Sequence, residues 1–325
     1  MLTVYSSQAG MLVPLPFSPG TPLPKSAVWL DLLNPTPDED AAVEACVGVS
    51  VPTREDMAEI ETSSRLYVED GARYMTASLL AGVDTDNPGI INVSFILAGK
   101  RLVTVRHAKP RVIDLYIQRV CKQAEAPASG DALLLGLLDA VIDRQADIIE
   151  TVGSEIDELS KRVFGRHKGA VRAKKDYMVL LRQIGRKGDL LSMVRESLVS
   201  VARLVGFLSA GAEDSKTGAA RRDQLDVMRR DTDSLRDHTS YLGDKIIFLL
   251  DATVGMVTIE QNDLVKMFSV VAVILMPPTL IASIYGMNFS HMPELDVPWA
   301  YPAVLCAMLV SAVVPYLVFR FKRWL

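Results

Sequence analysis

Hydrophobic positions follow two different rhythms along this chain. Up to about Ala126 they come in short runs cut by Pro and Gly, the mark of strands and turns. From Asp131 onward they recur at helical spacing with few breaks. Before Ala126, MLTVYS, Ala27 to Leu33, RLYVED, RYMTASLLAG, INVSFILAG and RLVTVRH read as strands. Pro14 to Pro24 reads as a Pro-rich turn, and Gly99 with Lys100 as a hairpin turn. Thr36 is the expected N-cap of a helix with Glu39, Asp40 and Glu44 in its early turns, and Thr53 the expected start of a short second one. A helix is expected from Pro110 to Ala124.

Beyond Asp131 a long helix is expected to end near Gly165 to Gly169, and another to run to about Leu208. After a Gly-, Ser- and Asp-containing turn from Ala210 to Gly218, the pattern continues unbroken from Ala219, with no proline before Pro277. A helix of roughly 70 residues would be ~105 Å long. Its length suits a stalk shared among subunits, with the two preceding helices folded back as buttresses. The fold class expected is thus α+β: a mixed sheet flanked by helices, a stalk helix, and a C-terminal two-helix hairpin.

That hairpin is apolar enough to cross a bilayer. No charged residue lies between Lys266 and Glu294, and a second apolar run spans Pro298 to Phe319. Lys266 precedes the first span and Arg320, Lys322 and Arg323 follow the second, while the intervening loop carries Glu294 and Asp296 and no basic residue. Both termini are therefore expected in the cytoplasm. The divisions expected are 1–126 (α/β), 127–218 (helical buttress), 219–266 (stalk), 267–289 (first span), 290–297 (outer loop), 298–319 (second span) and 320–325 (basic tail).

One face of the first span is unlike the others. Stepping back from Gly286 by threes and fours meets Ser283, Thr279, Met276, Ala272, Ser269 and Val265, then Asn262, Thr258, Gly255 and Asp251. Asp244, Asp237, Asp233 and Asp226 extend the line at spacings of seven or four, though a straight helix drifts about 20° per heptad. Carboxylates leading into hydroxyls and small residues read as a cation path; a packing seam between membrane helices has the same small-residue pattern, and a solvated face the same acids. Pro277 and Pro278 interrupt the backbone bonding at mid-span, either at a kink facing a wet lumen or at a kink packed between helices. Gly286 and Asn288 mark a helix end; a ring of Asn288 carbonyl oxygens would also suit Mg²⁺, which sheds its water reluctantly.

Composition adds exclusions. The 325 residues are 49% hydrophobic with a net charge of −4 and both signs mixed, which gives no footprint for nucleic acid. Cys46, Cys121 and Cys306 lack metal or redox spacing, and MLTVYSSQAG lacks the basic-then-apolar pattern of a secretory leader. No glycine-rich phosphate loop is present, and His107, His167, His238 and His291 lie far apart with no nucleophile pattern, so neither a nucleotide site nor an enzyme is expected.

YGMNF at 285–289, MPEL at 292–295, the preceding MPPTLIAS and the closing KRWL resemble the signature of the CorA family of magnesium transport proteins. The similarity is strongest from about Asp251 onward. The resemblance implies a funnel-shaped homopentamer in the inner membrane, whose first spans line one pore for Mg²⁺ and, in the family, often Co²⁺ and sometimes Ni²⁺. It implies an outer ion-recognition ring at Gly286, Met287 and Asn288, a path lined by Asp251, Asn262, Ser269, Met276, Thr279 and Ser283, and cation attraction by Glu294 and Asp296. It also implies regulatory Mg²⁺ bound between subunits, for which Asp226, Asp233 and Asp84 are the candidates. Ser283 stands where several relatives have glycine. Two other readings stay open: a Zn²⁺ transporter of the related ZntB branch, which departs from both Gly-Met-Asn and MPEL, and a membrane-anchored sensor that conducts nothing.

Overall fold

The computed structural model describes residues 1–8, 10–17, 21–85, 87–123, 125–165, 177–211, 218–287 and 298–322. They form two compact units, Met1–Leu249 and Leu250–Leu325. The first is built on seven strands: β1 (Leu2–Gln8), β2 (Met11–Pro16), β3 (Ala27–Leu33), β4 (Leu66–Glu69), β5 (Ala72–Ala81), β6 (Gly89–Ala98) and β7 (Arg101–Arg106). Their order is β2-β1-β3-β7-β6-β5-β4, antiparallel throughout except for β3 beside β7. Successive side chains point to opposite faces of a strand, and here both faces are covered. Trp29, Met75, Phe95 and Leu102 enter one core; their neighbours Leu30, Tyr74, Ile96 and Val103 enter the other. This two-sided burial explains why the strands read as continuous apolar runs rather than alternating ones.

Helices α3 (Arg111–Val120), α4 (Gly130–Phe164) and α5 (Tyr177–Ala210) supply the first core, joined by Leu225 and Met228 from the start of α6 (Gly218–Tyr285). The opposite core is closed by Val43 of α1 (Pro37–Val47) and by Met57. Glu39 accepts the Thr36 backbone N–H at 3.0 Å, so α1 starts where its capping sequence predicts. Ser129 caps α4 by accepting from the Ala132 N–H at 3.3 Å. Gly130 is fixed by sterics, since a Cβ there would stand 2.4 Å from the Arg101 carbonyl carbon.

One expectation fails locally and another is met only in part. The Pro-rich turn begins later than the sequence indicates, because Pro14 and Pro16 lie in β2, paired with Tyr5 and Thr3. β2 is an edge strand, the one place in a sheet that tolerates a missing N–H. Thr53 does open a short helix, but one of 3₁₀ rather than α type. Its N–H and hydroxyl both donate to Asp56, at 2.9 and 2.8 Å, but only a single 3₁₀ turn, Asp56–Ala58, follows before Glu59 becomes extended. One further helical turn, α2 (Thr62–Arg65), precedes β4. The predicted β3 and the Gly99–Lys100 turn stand as read, with Gly99 at φ +59°.

A buried ion pair ties β3 to β7. Arg106 donates to both oxygens of Asp31, at 3.1 and 2.8 Å, and each side chain is 4% exposed. Thr104 donates to the same carboxylate at 2.6 Å and accepts from the Trp29 indole at 3.0 Å. The pair is therefore satisfied on every side, which is the condition for such charges to be tolerated in a core. Burial, with the Asp31 carboxylate nearby, pushes the Tyr5 phenol up; burial pushes that of Tyr116 up to about 12.

The second unit contains the remainder of α6 and α7 (Ala300–Phe321). Both helices are long and apolar enough to cross a membrane.

Candidate functional site

Within α6 the two sides of the apolar segment differ in cover. Val270 is 2% exposed, and Ile274, Pro277, Pro278 and Ile281 are half-buried, at spacings that keep them along one side of the helix. The stripe from the sequence lies on roughly the opposite side. Asp251, Gly255, Thr258, Asn262, Ser269, Met276, Thr279, Ser283, Gly286 and Met287 are all exposed, Met276 at 68%. Pro277 and Pro278, which deprive the Val273 and Ile274 carbonyls of their helical donors, thus sit on the covered side, away from the stripe. α7 likewise has one half-buried line, Val304, Met308, Ser311, Pro315 and Phe319.

Three hydroxyls of the stripe share a local geometry. Ser269 donates to the Val265 carbonyl at 2.8 Å, Thr279 to Leu275 at 2.7 Å and Thr258 to Val254 at 3.0 Å. Each proton is engaged four residues back on its own helix. What remains for anything lying along that face is the oxygen lone pairs, so these three hydroxyls present acceptors only. This is chemistry the spacing alone did not reveal, although mid-helix Ser and Thr commonly bond this way.

The helix ends at Tyr285, and the Gly286 N–H bonds back to the Ala282 carbonyl at 2.9 Å. Asn288, Glu294 and Asp296, together with the expected loop 290–297, lie outside the described residues.

The candidate regulatory acids are each matched to a guanidinium. Asp226 lies 3.6 Å from Arg229 and Asp233 3.2 Å from Arg236, both across one helical turn and well exposed. Asp84, in the loop between β5 and β6, is held by Arg111 at 2.6 Å and Arg144 at 2.9 Å. The Arg111 hydrogen bond, with the Arg144 charge beside it, keeps the Asp84 carboxyl below the usual carboxylate range. Among the described residues no three His, Cys, Asp or Glu side chains converge as a metal site within one chain.

Comparison with known proteins gives a consistent result. The family profile described as "CorA-like Mg2+ transporter protein" matches residues 24–323. The magnesium transport protein CorA of Escherichia coli is 33% identical over 325 residues, which is 100% of both chains. Among solved structures, the CorA magnesium transporter of Methanocaldococcus jannaschii superposes with a TM-score of 0.76 at 18% identity, over 100% of this chain and 99% of that one. The cytoplasmic domain of ZntB from Vibrio parahaemolyticus shares the fold with a TM-score of 0.57 at 12% identity, over 78% of this chain and 96% of its own.

Proposed function

This chain belongs to the CorA-like Mg²⁺ transporter family, and from that premise we propose that it carries Mg²⁺ into the cell through a pore lined by the polar face of α6. Five copies surround one axis in the inner membrane, both termini lie in the cytoplasm, and the loop after the first span lies outside. The observation that carries this reading is the set of outward acceptors that Thr258, Ser269 and Thr279 leave along that face. A hydrated Mg²⁺ ion holds its waters tightly, and those waters present hydrogens outward. A wall of hydroxyl oxygens, the Met276 sulfur and the Asn262 carbonyl can accept from them without stripping the ion.

Gly286, Met287 and Asn288 form the outer recognition ring, with Glu294 and Asp296 concentrating cations outside it and Asp251 receiving the ion within. A divalent ion crossing ~100 mV gains about 4.6 kcal/mol, enough to drive influx without a nucleotide. Co²⁺ and Ni²⁺ are further expected cargoes. Zinc is disfavoured by the ligands, since Zn²⁺ selects nitrogen and sulfur, whereas this face offers oxygens and one thioether. The likeness to ZntB supports the fold alone.

Regulation follows from the acids. Asp84, Asp226 and Asp233 of neighbouring copies exchange their arginine partners for a shared Mg²⁺, without which the released carboxylates repel, so high internal Mg²⁺ locks the assembly shut and falling Mg²⁺ lets the copies separate.

The test is uptake of isotopically labelled Mg²⁺ into proteoliposomes under a negative-inside potential. Wild-type protein is expected to load the vesicles and Asn288→Ala to abolish loading. Uptake unaffected by Asn288→Ala would remove the outer ring. Zn²⁺ entering under a proton gradient, with no Mg²⁺ uptake, would favour the zinc reading. No uptake of any ion would leave a sensor.

A further inference from the structure

Asp84 and its two arginines stand at the mouth of a cavity of about 260 Å³ between the β5–β6 loop, the start of α3 and the middle of α4. Its walls are apolar, with Val112, Val141 and Ile148 among them, and its cations are Lys109, Arg111 and Arg144. Asp84 is the one carboxylate among the described lining residues, so these four charges sum to an excess of positive charge. The start of α3 lies beside it: Pro110 at the N-cap offers no side-chain cap, and Asp114 is the acidic residue of the first turn.

The geometry around Asp84 is that of a bound carboxylate. Arg144 reaches both oxygens, at 2.9 and 3.1 Å, and Arg111 reaches one at 2.6 Å. The loop that delivers it is tight. Gly82 has φ +67°, a Cβ there would stand 2.7 Å from the Asn87 carbonyl oxygen, and Thr85 donates to the Gly82 carbonyl at 2.6 Å. Yet the ion pair is half-exposed, with Asp84 at 48% and Arg111 at 64%, and such surface pairs are weak.

A second, independent feature is Gln145, which lines the cavity and is 2% exposed. Its amide orientation is fixed by a relay. Ser197 donates to the Ser78 carbonyl at 2.8 Å, so its oxygen must accept from Gln145 Nε2 at 2.6 Å. Gln145 Oε1 is consequently buried without a hydrogen-bond partner among the described residues. A buried acceptor left unpaired gains from any donor that reaches it.

We propose that this cavity binds a small organic anion, with a carboxylate or phosphate head on Arg111 and Arg144 and a hydroxyl toward Gln145, and that Asp84 is the built-in occupant which the ligand replaces. Forked guanidiniums suit either head group. A volume below that of drug-sized pockets limits the body to a few carbons. Where Asp84 is one of the Mg²⁺-sensing acids, which rests on the reading above, ligand binding frees its carboxylate. Anion and Mg²⁺ then bind with positive, reciprocal coupling.

The experiment is calorimetric titration of the full-length protein in detergent with lactate, propionate and glycerol phosphate. Saturable binding of lactate or glycerol phosphate is expected, and the tighter of the two identifies the head group. Propionate, which lacks the hydroxyl, should bind about tenfold more weakly than lactate. Arg144→Ala should weaken binding by at least about tenfold, and Asp84→Asn should strengthen it by a similar factor. Arg144→Lys, which keeps the charge and loses the fork, should lie between Arg144→Ala and wild type and guards against misfolding. No saturable binding in both wild type and Asp84→Asn, or binding indifferent to Arg144→Ala, would overturn the site. Repeating the titration with Mg²⁺ separates the two ideas. Tighter binding in wild type but not in Asp84→Asn supports the coupling; equal affinity in wild type overturns Asp84's share in sensing and leaves the anion site standing.

Discussion

The two units of this chain solve the problem of polar groups in opposite ways. In Met1–Leu249 the deepest charges are closed off by side chains from distant strands: Arg106, Asp31, Thr104 and Trp29 satisfy one another across β3 and β7. In Leu250–Leu325 each described stripe hydroxyl that bonds does so to its own helix, leaving its oxygen outward and unshared with any other element. The first arrangement holds a core together and has nothing left to offer a ligand. The second contributes little to folding and leaves three hydroxyl oxygens as acceptors along one face. The difference teaches where to look for function: at polarity the fold does not consume.

Substitutions can sharpen that contrast. The largest effect is expected from Arg106→Ala, which leaves Asp31 charged and buried and should cost about 3–5 kcal/mol. Denaturant unfolding followed by circular dichroism measures it. Gly130→Ala forces a Cβ against the Arg101 backbone and should cost about 1–3 kcal/mol by the same measurement. Thr279→Val keeps the shape and removes an outward acceptor. Mg²⁺ uptake should fall roughly tenfold, comparable to one lost hydrogen bond, while the unfolding curve stays unchanged.

The smallest effect concerns Asp84. Its carboxyl is held low in the folded chain, so its contribution is present above the ordinary carboxylate pKa and is lost as pH falls through the folded value. The stability gap between wild type and Asp84→Asn should therefore narrow below the ordinary carboxylate range. With the pair half-exposed, the gap is small throughout.

Legibility in the sequence followed the range of the forces involved. β3 was readable because AVWLDLL is apolar on both faces, and α1 because its cap lies within four residues of its start. The stripe on α6 was readable because helical spacing alone defines it. β2 was hidden by Pro14 and Pro16, whose cost depends on an edge position that only the assembled sheet reveals. Thr53 carried the correct cap chemistry, but the helix it starts is a single 3₁₀ turn that seats Met57 in the core before the chain becomes extended at Glu59. The partners of Asp84 lie 27 and 60 residues away, beyond any local pattern. No signal in the sequence singled out Arg111 or Arg144.

The central claim is that one side of α6 faces the ion. Single cysteines placed at Ser269, Met276, Thr279 and Ser283 test it directly, against controls at Val270 and Ile274, in a background lacking Cys46, Cys121 and Cys306. Proteoliposomes carrying each variant are treated with a membrane-impermeant thiol reagent and assayed for Mg²⁺ uptake. Block at the stripe positions, protected by excess Mg²⁺ and absent at the two covered positions, is the expected result. Block confined to Val270 and Ile274, or spread evenly around the helix, would contradict it.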